Sequence, residues 1–153
     1  SAKGYKIVGD VDYVMLNMLQ ETVKSGSGQR LSWQYGLVDR GQTKNNIGAK
    51  TGTTQNGSDG WFIAVTNEVV AGAWVGGDER PIHFTKWSDG QGAYTALPIV
   101  GRFLQKIYAD NTLSIEKTFF ERPPNLSIEV DCQKFADVLT TTDTSNIYDD
   151  DIY

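Results

Sequence analysis

Residues 47–75 read IGAKTGTTQNGSDGWFIAVTNEVVAGAWV and carry the clearest structural signal in the chain. Segments rich in β-branched, aromatic and other apolar residues predict three β-strands, over residues 47–54, 61–66 and 69–75. The first connection between them is rich in turn-forming residues, and the second is tight. Because connections this short join antiparallel neighbours, the sequence predicts a three-stranded antiparallel meander.

Helices are predicted on both sides of this meander. Apolar residues recur at helical spacing over residues 11–23 and again over 95–108, where Pro98 is compatible only with the first turn. Asp10 is placed to cap the first of these helices, and a short additional helix is expected over 29–35. The combination indicates an α+β fold, in which helices flank a meander of at least three strands and lie on one of its faces.

The composition excludes several classes of protein. With 153 residues, the chain has the size of one ordinary domain. A single cysteine cannot form an internal disulfide, and one cysteine with one histidine cannot supply the ligands of a structural zinc site. No segment approaches the roughly 18 apolar residues of a membrane span. A phosphate-binding loop needs glycine directly before its lysine, whereas Ala49 precedes Lys50, so nucleotide binding by this segment is not expected. We therefore expect a soluble piece that needs no cofactor and no metal.

The formal net charge of −5 is unevenly distributed. Residues 129–153 hold seven acidic residues and one lysine, a net charge of −6, which leaves +1 for residues 1–128. A nearly neutral body argues against nucleic-acid binding, because that binding depends on neutralising phosphates with Lys and Arg. The acidic segment is too polar to order itself by burying apolar surface. We therefore divide the chain into a globular part, 1–128, and an acidic, flexible tail, 129–153.

The strand predicted over residues 47–54 also carries the strongest chemical signal. It combines the cation of Lys50 with three hydroxyl groups and a glycine, namely Thr51, Gly52, Thr53 and Thr54. The outer side of this strand has no evident partner, so its backbone groups can pair with an extended peptide laid alongside. Lys50 and the hydroxyl groups suit a carboxylate, and a backbone N–H near Thr53 suits an oxyanion. The alternative is a surface strand whose lysine only protects an exposed edge.

These residues resemble a known family. The similarity includes Lys50-Thr51-Gly52-Thr53-Thr54, the turn and tryptophan strand over 55–62, and the second tryptophan strand over 70–77. It extends through residues 15–20, 26–28 and 92–99, and covers about residues 10–125. The pattern is similar to the third motif and following strands of penicillin-binding protein transpeptidase domains, and most similar to the C-terminal part of the class A, bifunctional type.

The resemblance implies the C-terminal portion of a serine β-lactamase/penicillin-binding transpeptidase fold, and with it an activity and a set of residue roles. The family cross-links peptidoglycan by acyl transfer from D-Ala-D-Ala stem peptides, and β-lactams mimic that dipeptide. The implied role of Lys50 is to shape the positive potential and orient a serine of the second motif. Thr51 and Thr53 are implied to bind the substrate carboxylate, with Thr54 beside them. The Thr53 N–H is implied to donate to the oxyanion, and Gly52 to leave room for the ligand.

The chain departs from the family pattern in the motifs that supply the nucleophile. The family order is Ser-x-x-Lys, Ser-x-Asn and Lys-Thr-Gly. No Ser-x-x-Lys precedes Lys50, and Ser-x-Asn is absent. Ser114-Ile115-Glu116-Lys117 has the letters of the first motif but follows the third, and we expect Ser114 to cap a short helical turn. We therefore expect a fragment that holds the third-motif half of the domain and is inactive alone.

Further expectations follow from the resemblance. The partners are stem peptides, β-lactams and the missing N-terminal part of the same protein, and the isolated fragment is expected to self-associate. Full-length members have a glycosyltransferase domain and a membrane anchor, which implies the outer, periplasmic side of the bacterial cytoplasmic membrane. Two alternatives stay open. One is a fragment of a serine β-lactamase or D,D-carboxypeptidase, and the other is a non-catalytic module that binds peptides at its edge strand.

Overall fold

A computed structural model of the protein describes residues 9–38, 47–130 and 134. The elements follow the predicted order, and each strand ends within two residues of its predicted bounds. Within residues 9–38 and 47–130 the regular elements are three helices, three strands and one 3-10 turn: α1 (Asp10–Lys24), α2 (Arg30–Trp33), β1 (Gly48–Thr53), β2 (Asp59–Val65), β3 (Val70–Gly76), the 3-10 turn Trp87–Gly90 and α3 (Leu97–Ala109). Pro98 lies in the first turn of α3, as predicted.

The three strands form one antiparallel sheet in the order β1-β2-β3, which confirms the predicted meander. In β1, Lys50 lies opposite Ile63, and Gly52 lies opposite Trp61. The Thr54 N–H donates to the Asp59 carbonyl just beyond the last pair. Because hydrogen-bonded pairs alternate along an antiparallel ladder, the N–H and C=O groups of residues 49, 51 and 53 point away from β2.

Helix α3 covers one face of the sheet. Phe62 and Ala64 of β2 are fully buried in the same apolar cluster as Leu97, Val100 and Leu104 of α3. The strand alternation places these β2 side chains on the face that α3 contacts. Burial of each large side chain contributes about 1.5–3 kcal/mol, so this cluster is the main source of stability.

The opposite face of the sheet is exposed and apolar. Trp61 retains 48% of its accessible surface, Ile63 42% and Trp74 43%, and Val70 is also exposed. By alternation these side chains share a face with Lys50 of β1. No element within the described ranges covers them.

The predicted placement of both helices on one face of the sheet is wrong for α1, which lies along the outer edge of β1. The Thr22 hydroxyl donates to the outward-pointing carbonyl of Ala49 at 2.5 Å. Val23 of α1 is fully buried in the apolar cluster with Ile47. The outer side of the first strand therefore has a partner near its beginning, which the sequence did not reveal.

The predicted cap of α1 is wrong. The N-cap is Gly9, and no side chain caps the helix. Asp10 lies inside the first turn, and its carboxylate instead accepts hydrogen bonds from the Ser127 hydroxyl at 2.5 Å and the Ser127 N–H at 3.0 Å. A carboxylate in the first turn is still favourable, because it faces the positive end of the helix dipole.

The segment after α3 runs over the surface without regular structure. No helix or strand is found over residues 110–130. The expected helical turn at Ser114 is absent, because Ser114 has a left-handed backbone with φ of 51°. The Asn67 amide donates to the Thr118 hydroxyl and ties the segment to the β2–β3 turn. The predicted flexible tail lies outside the described residues except for Glu129, Val130 and Lys134.

Candidate functional site

Lys50 extends from the middle of β1 on the exposed face of the sheet. Its side chain is exposed, and Nζ donates to the carbonyl oxygen of Thr51 at 2.6 Å. That carbonyl points away from β2, so the ammonium group lies at the outer edge of the strand. The lysine therefore brings a positive charge to the place where a ligand paired with β1 would lie.

Thr51 is connected to the loop that follows α1. Its Oγ1 lies 2.8 Å from the Oγ of Ser27, close enough for a hydrogen bond in either direction. Thr51 is half-buried and Ser27 is exposed, so the pair forms a small polar patch at the surface. Ser27 belonged to the region of resemblance, but its sequence context had not indicated a contact with β1.

Thr53 and Gly52 form the end of β1, where the loop over residues 90–96 lies against the strand. The Gly92 N–H donates to Thr53 Oγ1 at 3.2 Å. A side chain at Gly92 would overlap the carbonyl oxygens of Trp61 and Gly52, so only glycine fits this contact. A Cβ at Gly52 would lie 3.1 Å from the Cβ of Trp61, so a side chain there would require Trp61 to shift by a few tenths of an ångström.

Thr54 faces the β1–β2 turn instead of the strand edge. Its Oγ1 lies 3.0 Å from the Oγ of Ser58 and accepts from the Asp59 N–H at 2.9 Å. Asp59 in turn accepts from the Ser58 hydroxyl at 3.0 Å. Of the five predicted residues, the first four therefore lie within β1, where the backbone groups of Thr51 and Thr53 point to the outer edge, while the Thr54 hydroxyl stabilises the turn.

The outer edge of β1 is covered at its beginning and open at its end. The Ala49 carbonyl is bound by the Thr22 hydroxyl, and the Thr51 carbonyl by the Lys50 ammonium group. The Thr53 N–H points outward, and no acceptor for it is found in the described part of the chain. An unpaired N–H next to a cation and a hydroxyl group is an arrangement that can bind an anionic or polarised oxygen.

The chain is similar to parts of much longer bacterial proteins. Penicillin-binding protein 1A of Pseudomonas aeruginosa is 30% identical over 119 residues, which are 78% of this chain and 13% of that protein. Penicillin-binding protein 1A of Rickettsia felis is 38% identical over 112 residues, 66% of this chain and 14% of that protein. Penicillin-binding protein 1B of Escherichia coli is 33% identical over 68 residues, 44% and 7% respectively.

The chain is a relative of penicillin-binding proteins 1A and 1B. It spans 7–14% of the length of these three relatives. No protein-family model matches it. The predicted recognition is confirmed at this level, as is the α+β fold with its antiparallel meander.

The relatives are penicillin-binding proteins, but the described residues of this chain include no nucleophile that contacts a base able to activate it. The Ser27 hydroxyl contacts the Thr51 hydroxyl, and Lys50 contacts a carbonyl, so neither contact activates a serine. Ser114 does not lie on a helix, and the Lys117 ammonium lies over the ring of Tyr108, 5.4 Å from its centroid.

The described residues hold no cluster of three or more His, Cys, Asp or Glu side chains that could bind a metal. Within the same ranges, none of the helices combines the length and apolarity that crossing a membrane requires.

Proposed function

We propose that the chain is the C-terminal part of the transpeptidase domain of a class A penicillin-binding protein. In this proposal β1 is the strand that binds the carboxylate end of a D-Ala-D-Ala stem peptide. The observation that carries it is the open outer edge of β1, where the Thr53 N–H has no acceptor among the described residues and lies beside the Lys50 ammonium group. The name of the relatives, penicillin-binding protein, supports the same peptide class, because penicillin mimics this dipeptide.

The proposed chemistry is acyl transfer in two steps. A serine of the upstream part attacks the carbonyl between the two D-alanines, the amide C–N bond breaks, and terminal D-alanine leaves with the proton. An amine of a neighbouring stem peptide then attacks the resulting ester, the ester C–O bond breaks, and a new amide forms. Thr53 N–H donates to the oxyanion in both steps, and removal of one such donor typically costs about 10²–10³ in rate.

Lys50 and the threonines of β1 supply binding in this scheme. The Lys50 side chain reaches the outer edge from one face of β1 and the Thr51 and Thr53 side chains lie on the other, so a carboxylate at this edge meets a cation and two hydroxyl groups. The Thr51–Ser27 hydrogen bond fixes the Thr51 hydroxyl beside the edge. Thr54 contributes indirectly, because its hydroxyl stabilises the turn that ends β1.

The nucleophile comes from the missing N-terminal part of the same protein in this proposal. The exposed apolar face of Trp61, Ile63 and Trp74 supplies the surface on which that part packs. Without it, the isolated chain self-associates through the same face and is inactive. Residues 1–128 form the partial domain and 129–153 its acidic tail, and the full-length protein is anchored in the cytoplasmic membrane with this domain on the outer side.

Labelling of the full-length protein with a fluorescent penicillin tests the proposal. Lys50→Ala is expected to slow acylation by about two orders of magnitude without unfolding the protein, because it removes a charge at the reacting edge. Lys86→Ala is the matched control, since Lys86 is an exposed lysine outside β1. Unchanged labelling of the Lys50 variant would remove Lys50 from the site, and fast release of the label would favour a β-lactamase.

A further inference from the structure

A groove opens next to Thr51, on the side of the α1–α2 loop. Its volume is about 400 Å³. One wall comes from Ser27, Gln29, Arg30 and Trp33, and the other from Gln91 and Tyr94. The groove and β1 share a boundary, because Ser27 lines the groove and contacts the Thr51 hydroxyl at 2.8 Å.

Arg30 is held in a fixed position in this groove. Its Nη1 donates to the Ala93 carbonyl at 2.7 Å, and its Nε donates to Gln34 Oε1 at 2.8 Å. Its guanidinium carbon lies 5.3 Å from the ring centroid of Tyr94. These contacts use two of the five N–H donors of the guanidinium and leave the others for a ligand.

Within the described part of the chain, the charge of Arg30 has no acidic partner. None of the ion pairs found within residues 9–38 and 47–130 involves it. A half-buried guanidinium without a carboxylate is favourable for an incoming anion, and its planar fork matches a carboxylate in a bidentate arrangement. Because contacts on each side already orient the Arg30 side chain, it loses less conformational entropy when a ligand binds.

Two aromatic side chains extend from the same groove into solvent. Trp33 and Tyr94 each retain 59% of their accessible surface. Rings that are exposed on both walls of a groove offer apolar contact to the body of a ligand whose charged end lies on the arginine. A short peptide with a free C-terminal carboxylate combines those two features.

We infer that the Arg30 groove binds the C-terminal carboxylate of a second peptide beside the one on β1. Arg30 holds the carboxylate, and Trp33 and Tyr94 contact the peptide body. If the proposed function holds, this second peptide is the acyl acceptor, the stem peptide whose amine attacks the ester; carboxylate binding in the groove does not depend on that function.

Amide and side-chain NMR spectra of the 153-residue chain test the inference. The probe is diacetyl-Lys-D-Ala-D-Ala with a free carboxylate, and its C-terminal amide is the uncharged control. We expect the acid to shift the Trp33 indole N–H and the Arg30 Nε–H in a saturable way, and the amide to leave both in place. Equal binding of acid and amide, or no movement of these two signals, would overturn the inference.

Two substitutions separate recognition from folding. Arg30→Lys keeps the charge but removes the planar fork, and should weaken binding about tenfold. Gln29→Glu adds a carboxylate to the groove without removing any hydrogen-bond partner of Arg30. It should weaken peptide binding at least as much as Arg30→Lys does, while the dispersed NMR spectrum shows that the chain stays folded. Gln55→Glu is the charge-matched control, because it makes the same change in the exposed β1–β2 turn. Unweakened binding to the Gln29 variant counts against the groove.

The position of the shifts distinguishes this inference from the proposed function. Shifts confined to the amides of Thr51–Thr53 would overturn the groove and leave the role of β1 supported. Shifts confined to Trp33 and Arg30 would support the groove and count against β1 as a carboxylate strand. Saturable shifts at both places support two adjacent peptide sites.

Discussion

The indole of Trp74 and the carboxylate of Asp59 are joined across the β2–β3 pair, with Nε1 donating to Oδ1 at 3.0 Å. The other carboxylate oxygen accepts from the buried Ser58, whose hydroxyl lies 3.0 Å from that of Thr54. One acidic residue therefore connects β3 with the turn that ends β1. This turn positions Thr53, so the end of the candidate site depends on a contact two strands away.

Double-mutant analysis of Asp59 and Trp74 should reveal that connection. Asp59→Ala removes both acceptors, and Trp74→Phe removes the donor while it keeps an aromatic ring. We expect a coupling free energy of about 1 kcal/mol, the usual net value of such a hydrogen bond. Urea unfolding of the two single variants and the double variant measures it. Strict additivity would mean that the hydrogen bond contributes nothing to stability.

The sequence predicted the sheet well because its signals are local. Tryptophan and β-branched residues mark β2 and β3, and the turn residues over 55–58 limit the possible pairing. The same reasoning placed Lys50, Thr51 and Thr53 on one strand. It could not place Thr54 in the turn network, since the hydroxyl direction at a strand end depends on the turn conformation.

Contacts between distant parts of the chain were the ones that sequence reasoning missed. Ser27 and Thr51 are 24 residues apart, and Asp10 and Ser127 are 117 apart. A hydrogen bond between two such side chains produces no periodic pattern in the sequence, because it depends on how the loops pack against the folded sheet. The position of α1 at the edge of β1 was missed for a related reason: an amphipathic pattern shows which side of a helix is buried, but not against what.

Gly92 should be sensitive to any added side chain. Gly92→Ala puts a methyl group onto the Trp61 carbonyl, so the loop must move away from Thr53. We expect a loss of about 2 kcal/mol or more in unfolding free energy. Gly72→Ala is the matched control, because a Cβ there meets only an ordinary contact of 3.5 Å with Ile63. Thermal or urea unfolding should rank the two variants clearly, and equal stability would contradict the packing described for the loop.

Neighbouring residues of β2 should respond very differently to truncation. Phe62 is fully buried and Ile63 is 42% exposed, although they are adjacent in sequence. Phe62→Ala should cost about 3–5 kcal/mol and is expected to unfold much of the population. Ile63→Ala should cost only about 0.5 kcal/mol. Circular dichroism with urea titration distinguishes these outcomes, and similar costs would mean that the two faces are assigned incorrectly.

The exposed sheet face should control self-association. Ile63→Lys places a charge among Trp61, Trp74 and Val70, and should shift the isolated chain towards monomer. Val11→Lys is the control, because Val11 is also an apolar side chain, is 70% exposed against 42% for Ile63, and lies on α1. Sedimentation velocity at increasing concentration provides the readout. If both variants associate like the unaltered chain, the face is not the contact surface.

Acid should release the C-terminal segment from α1. The hydrogen bonds from the Ser127 hydroxyl and N–H hold the pKa of Asp10 below its ordinary value of 3.8. A lowered folded-state pKa means that the contact stabilises the fold above pH 3.8 and loses this contribution as the pH falls through the folded-state pKa. NMR titration of the Asp10 carboxyl should show that Ser127→Ala raises its pKa. The pKa of Asp110, which the Thr112 hydroxyl and N–H lower in the same way, should not change and serves as the internal reference. An unaltered Asp10 titration in the Ser127 variant would show that the segment is not anchored there.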